Sequence, residues 1–199
     1  IISPLYPWRY SPPITALATW SQNAFPELIA QLRDSTGIDP ELLANGMLVT
    51  ATNEREQALA WGAGVSRAVI EITDDEAQAL EPHVVLDETP LWMPRVSSVR
   101  NPRMGQALRQ MCLNRPHIQL LEHREAQVSG SLSSPVVSSH GQQVVADRIV
   151  LTTGAWTGGL LSGLDFTCPI KPMKGQMLLF SPCRLINRVV LANGRYAIP

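Results

Sequence analysis

Asp147-Arg-Ile-Val-Leu-Thr-Thr-Gly-Ala-Trp-Thr-Gly-Gly159, followed by Pro169-Ile-Lys-Pro-Met-Lys-Gly-Gln-Met-Leu178, is the stretch on which the fold turns. Ile149 to Leu151 form a short apolar, β-branched run that stops at small residues. That is the pattern of a buried strand ending in a tight turn beside a ligand. Glycine at 154 permits close approach of backbone to a bound group, and Trp156 sets a large ring beside it. Thr157 to Leu164 reads as a short helix and Lys174 to Phe180 as a strand. Arg188 to Ala192 and Arg195 to Ile198 flank Asn193-Gly194, a strong hairpin signal.

Working outward, Ser3 to Pro13 is too rich in proline for a strand or helix interior and reads as an ordered loop. Ile14 to Leu32 has apolar residues near helical spacing, with Pro26 as a local bend. Gly46 to Ala51 reads as a strand with a helix over Glu54 to Ser66, and Val69 to Ile72 as a short extended piece. Thr73-Asp-Asp-Glu76 has the form of a capping box opening a short helix that ends near Pro82. Val84 to Met93 supplies two short extended runs. Asn101 as N-cap with Pro102 behind it opens an amphipathic helix. Ile118 to Leu121 reads as a strand and Gln127 to Arg148 as a hairpin turning at Ser138 to Gln142. Mixed rather than alternating elements favour an α+β layer domain attached to part of an α/β domain.

Composition excludes several classes. Hydrophobic residues make up 45% of the 199 and charged residues 17%, as in a globular chain. A formal net charge of −1 gives no electrostatic footprint for nucleic acid or an anionic membrane surface. The apolar runs are far shorter than the roughly 20 residues that span a bilayer. Cys112, Cys168 and Cys183 lack CxxC spacing and read as buried structural thiols in a reducing cytoplasm. The four histidines show no i,i+4 pairing, so no metal site is expected. Asp74, Asp75 and Glu76 read as a helix N-terminus rather than a catalytic pair, and no residue is assigned as a catalytic acid, base or nucleophile.

The segments Ile149 to Gly159 and Pro169 to Leu178 resemble the FAD-dependent amino-acid and amine oxidases of the D-amino-acid oxidase type, most closely the glycine oxidase group. The resemblance implies a partial FAD-binding α/β domain over 1–40 and 100–165. It implies an inserted mixed-sheet substrate-binding domain over 41–99 and 166–199. It places Thr153, Gly154 and Trp156 against the cofactor and gives Ala126 a main-chain contact to adenine. Ile1 and Ile2 fall where the family runs a loop past the isoalloxazine, and Tyr196 where a tyrosine helps hold the substrate carboxylate. Lys171 and Lys174 stay readable as solvated surface lysines.

A dinucleotide-binding fold opens with a Gly-rich turn that holds the pyrophosphate at a helix N-terminus. No GxGxxG occurs; Gly62-Ala-Gly64 sits in an Ala-rich stretch and reads as a helix end or turn. The chain therefore reads as an internal segment of a longer protein, with the family's carboxylate-binding arginine expected beyond its end. The implied reaction moves hydride from the Cα of glycine or another small amino acid to flavin. The resulting imine hydrolyses to an oxo acid and ammonia, dioxygen accepts the electrons as hydrogen peroxide, and the implied role is in making the thiazole of thiamine. D-amino-acid dehydrogenases and sarcosine oxidases share much of this pattern, and a noncatalytic partner-binding subunit is the alternative from another class. The oligomeric state is open, a homo-oligomer included.

Overall fold

The computed structural model describes residues 1–66, 68–164, 166–181 and 185–199. Cys183 lies outside them. The chain forms two compact units, Ile1–Gln119 with Pro182–Pro199, and Leu120–Ser181.

The first unit opens with a 3-10 turn at Pro7–Arg9 and continues through α1 (Pro12–Thr36), β1 (Met47–Ala51), α2 (Arg55–Gly64) and β2 (Ile70–Glu71). Then come α3 (Asp74–Leu80), β3 (Leu91–Met93) and α4 (Asn101–Leu113), and after the second unit β7 (Val189–Ala192) and β8 (Arg195–Ala197). The sheet order is β2-β3-β1-β7-β8. It is mixed, because β1 runs antiparallel to β3 and parallel to β7. Every residue of β1 is buried, as a central strand covered on both faces requires.

Register divides the two faces. Met47, Val49, Leu91, Met93, Val189 and Leu191 share one, covered by Ile1, Leu5, Tyr6 and Trp8 and by Ala58, Leu59 and Trp61 around α2. Leu48 and Trp92 share the other with Ile70, against Ile72, Ala77 and Leu80. Separately, α1 packs on α4 through Ile29, Leu32 and Ala107.

Local chemistry sets the ends of these elements. α1 continues through Pro26 and stops at Gly37, whose φ of 70° is the left-handed cap that glycine adopts without a Cβ penalty. The expected capping box is present in both halves: Thr73 Oγ1 accepts from Glu76 N at 3.2 Å and Glu76 Oε2 accepts from Thr73 N at 2.8 Å. α4 begins one residue earlier than expected, with Arg100 at the N-cap and Asn101 already helical. A proline within the first turn costs no intrahelical bond, so the start can slide by one. Gly62 is a packing glycine, since a Cβ there would meet Val69 O at 2.5 Å.

The second unit holds an antiparallel meander of β4 (Ala126–Ser131), β5 (Ser134–Ser139) and β6 (Gln142–Val144), then α5 (Thr157–Leu160). The expected single hairpin is thus two, with Leu132-Ser133 and His140-Gly141 as the connections. The small core is Val128, Leu161 and Leu164 with Val137, Leu160 and Cys168.

Several expectations of extended structure are corrected. Residues 84–90, 118–121, 149–153 and 174–180 belong to no strand. A strand needs a ladder partner for its N–H and C=O groups, and apolar β-branched sequence alone does not supply one. Val150 is 83% exposed and Leu179 91%, so the runs at 149–153 and 174–180 have little cover within the described residues, whereas Val84 and Leu86 pack against the sheet without joining it. Cys112 and Cys168 are partly rather than fully buried, and both are free thiols. Within the first compact unit, residues 1–8 pack on the mixed sheet and α1 packs on α4. No helix among the described residues is long and apolar enough to cross a membrane, and no His/Cys/Asp/Glu cluster among them could hold a metal ion.

Candidate functional site

Tyr196 is placed by the β7–β8 hairpin. Asn193 (φ 44°) and Gly194 (φ 82°) supply the two left-handed residues of a tight turn, and Tyr196 then pairs with Leu191. Residues directly opposite in a ladder share a face. The row Leu91, Val49, Leu191, Tyr196 therefore sets the tyrosine on the face covered by residues 1–8. Tyr196 stays 44% exposed at the sheet edge, which leaves its phenol accessible.

The N-terminal loop is fastened to the same face. Ile2 N donates to Ser97 O at 2.7 Å, Ile2 O accepts from Gln22 Nε2 at 3.0 Å, and the Ile2 side chain is buried. Ile1 packs partly buried against the core. Ile1, Ile2 and Tyr196 are thus brought to one sheet face, with Ile2 committed to the interior.

Sequence reasoning did not single out the brace that holds this loop to the hairpin. Tyr6 Oη accepts from Gly194 N at 2.7 Å, two residues from Tyr196. The Tyr6 ring meets Trp8 edge-on at 5.5 Å and carries the Arg9 guanidinium 3.9 Å above its centroid. Glu54 collects both neighbours, accepting from Trp8 Nε1 at 2.6 Å and Arg9 Nε at 2.8 Å. The Arg9 guanidinium, and then the Trp8 indole N–H, hold the Glu54 carboxyl below the usual carboxylate range. The signal was Tyr-Pro-Trp-Arg in a proline-rich loop: polar-tipped aromatics need partners for their N–H and O–H.

Glu81 was missed too, and nothing in the sequence marks it. It is fully buried, and both its oxygens accept from Asn187 N, at 2.9 and 3.1 Å. Arg188 Nη1 stands 3.8 Å away and donates to Leu80 O at 2.6 Å. This pins the segment entering β7. Asn45 Nδ2 also donates to Asn187 O, and Gly46 (φ 79°) lies under the Trp92 ring, where a Cβ would be 2.0 Å from ring carbon.

In the second unit, Thr153, Gly154 and Trp156 form a 3-10 turn into α5. Thr157 Oγ1 donates to Gly154 O at 2.7 Å and lies 3.0 Å from Thr153 Oγ1, which fixes the turn. Gly154 has φ 53° and open space where a Cβ would stand, and Trp156 is 79% exposed. Ala126 opens β4, an edge strand whose outer side carries no ladder partner among the described residues. The glycine turn and the exposed indole share one short segment, and β4 stands at the edge of its sheet. They provide no pyrophosphate cradle, and Gly62 faces Val69 rather than open space.

A family model described as DAO, FAD dependent oxidoreductase, matches residues 1–199. The chain belongs to this family. A glycine oxidase of Pseudomonas putida is 40% identical to it over 207 residues, and one of Pseudomonas aeruginosa 39% over 206, each match taking in 100% of this chain and 56% of the relative. The crystal structure of glycine oxidase from Geobacillus kaustophilus superposes with a TM-score of 0.79 at 26% identity, over 95% of this chain and 53% of that one. This member of the FAD dependent oxidoreductase family therefore spans about half the length of the relatives it matches. The α+β architecture is that of the family's solved structures.

Proposed function

We propose that this chain is part of an FAD-dependent enzyme that oxidises the C–N bond of glycine or another small amino acid. Family membership over the whole chain carries the reading, supported by the display of Tyr196 beside the N-terminal loop. Thr153, Gly154 and Trp156 would hold the flavin portion and the β4 edge at Ala126 the adenine. Ile1 would wall off water, with Ile2 anchoring that loop.

When bound, FAD would supply the acceptor for hydride leaving the substrate Cα. The Tyr196 phenol would hold the carboxylate and so fix which Cα–H faces the acceptor. The imine product hydrolyses to an oxo acid and ammonia. Dioxygen as final acceptor, giving hydrogen peroxide, separates the oxidase reading from D-amino-acid dehydrogenase or sarcosine-oxidase-like activity. A cytoplasmic source of the glycine imine for thiazole synthesis fits this chemistry. The second reading, a partner-binding subunit without activity, is favoured by the missing phosphate cradle among the described residues.

The test is an anaerobic visible spectrum of the purified full-length enzyme of which this chain is part, with FAD, before and after glycine, sarcosine or a D-amino acid; the segment by itself is expected to be inactive. Bleaching by glycine or sarcosine is expected, and Tyr196→Phe should raise the glycine concentration needed by about tenfold while leaving the starting spectrum unchanged. A protein that stays colourless with FAD sinks the enzyme reading. Bleaching by larger D-amino acids alone moves it to the dehydrogenase branch.

A further inference from the structure

Beyond the flavin reading, and independent of it, the first unit contains a cavity of about 340 Å³ between the start of α1, the end of α2 and the loop after β3. That is the lower end of the range that holds small molecules. Met93, Val96 and Ala68 form its buried floor, and Pro4, Pro7 and Trp61 its walls. These are rigid or flat apolar groups, suited to a ring or a short chain.

Part of the polar lining is already engaged within the protein. Thr19 Oγ1 donates to Thr15 O at 2.8 Å, and the Gln22 amide donates to Ile2 O. Among the described lining residues Arg95 is the single charged one, with no acidic group beside it. It is exposed and makes no ion pair with a described residue. A cation left unpaired at the mouth of an apolar cavity selects an anion whose body is apolar.

We propose that this cavity binds a small organic monoanion, an aryl or short alkyl carboxylate, with its carboxylate on Arg95 and its apolar body on Trp61, Met93 and Val96. The site is separate from Tyr196. β3 and β8 are separated by β1 and β7, three strand spacings of roughly 4.8 Å each and so about 14 Å.

The probes are 3-phenylpropanoate and its neutral isostere 3-phenylpropanamide, titrated into the purified protein while the Trp61 indole N–H and the Met93 methyl are followed by NMR. The acid should shift both signals saturably and bind about tenfold more tightly than the amide, and Arg95→Gln should erase that difference. Ala18→Trp, which fills the cavity, should abolish binding of both. Equal affinity for acid and amide, an unchanged preference in Arg95→Gln, or no saturable shift at either reporter would overturn the proposal. Shifts confined to the surroundings of Tyr196 would also overturn it while leaving the flavin reading intact. Arg95 lies on the surface, so its substitution keeps the test decisive even if Ala18→Trp fails to fold.

Discussion

The two units spend similar kinds of sequence to opposite effect. In the first, Met47, Leu48, Val49, Leu91 and Leu191 are all essentially inaccessible, with cover on both faces of the sheet. In the second, Met177 to Phe180 is at least as apolar, yet every side chain in it is exposed. Hydrophobicity states only that a segment benefits from burial, and topology decides whether a neighbour is there to bury it. Among the described residues Leu191 has a strand on either side and Leu179 has none.

Alanine substitutions at those two leucines test the contrast most severely. Leu191→Ala should destabilise the first unit by about 2–5 kcal/mol, the usual cost of a core cavity. Leu179→Ala should change stability by less than about 0.5 kcal/mol. Urea unfolding followed by tryptophan fluorescence reads both, and equal losses would mean that residues 174–180 are covered after all. A smaller effect sharpens the picture of the first unit. Thr73→Ala removes the capping box and should cost about 1 kcal/mol, measured as a lower urea midpoint at unchanged slope.

The smallest effect is electrostatic. The Glu54 carboxyl is held below its ordinary range by Arg9 and then Trp8. A folded-state pKa below the unfolded one gives stabilisation that is complete above the unfolded value and lost as pH falls through the folded one. The brace should therefore persist at neutral pH and release only in acid, below the usual carboxylate range. The Trp8 indole N–H should follow that titration in an NMR series, and Glu54→Gln should flatten it. A midpoint above the ordinary glutamate range would contradict the arrangement.

What the sequence disclosed follows the range of the interaction. The capping box at Thr73 and Glu76 and the Asn193-Gly194 turn are settled within a few residues, and local chemistry displays them. The place of Tyr196 on a strand was legible because its hairpin turn was, while its role came only from the resemblance to the family. Glu81 was not, since its partner Asn187 lies 106 positions away. The failure at 149–153 and 174–180 has the same root: an apolar run reports an appetite for pairing without naming a partner. Gly62 shows the converse. The sequence reads it as part of a helix end or turn, and its contact with Val69 adds why a glycine stands there.

The insertion of β7 between β1 and β8 has a consequence for how the chain comes into being. β1 and β3 can meet early, but β1 gains its second neighbour only after the whole second unit has been made. At typical synthesis rates the roughly 100 residues between β3 and β7 take about 5–20 seconds to emerge. Through that interval one edge of a largely apolar strand stands open to whatever it meets, and long-range pairing of this kind is slow even once the partner exists. The nascent chain should therefore be most vulnerable to misassembly before Val189 clears the ribosome, and a chaperone that shields the β1 edge would act in that window.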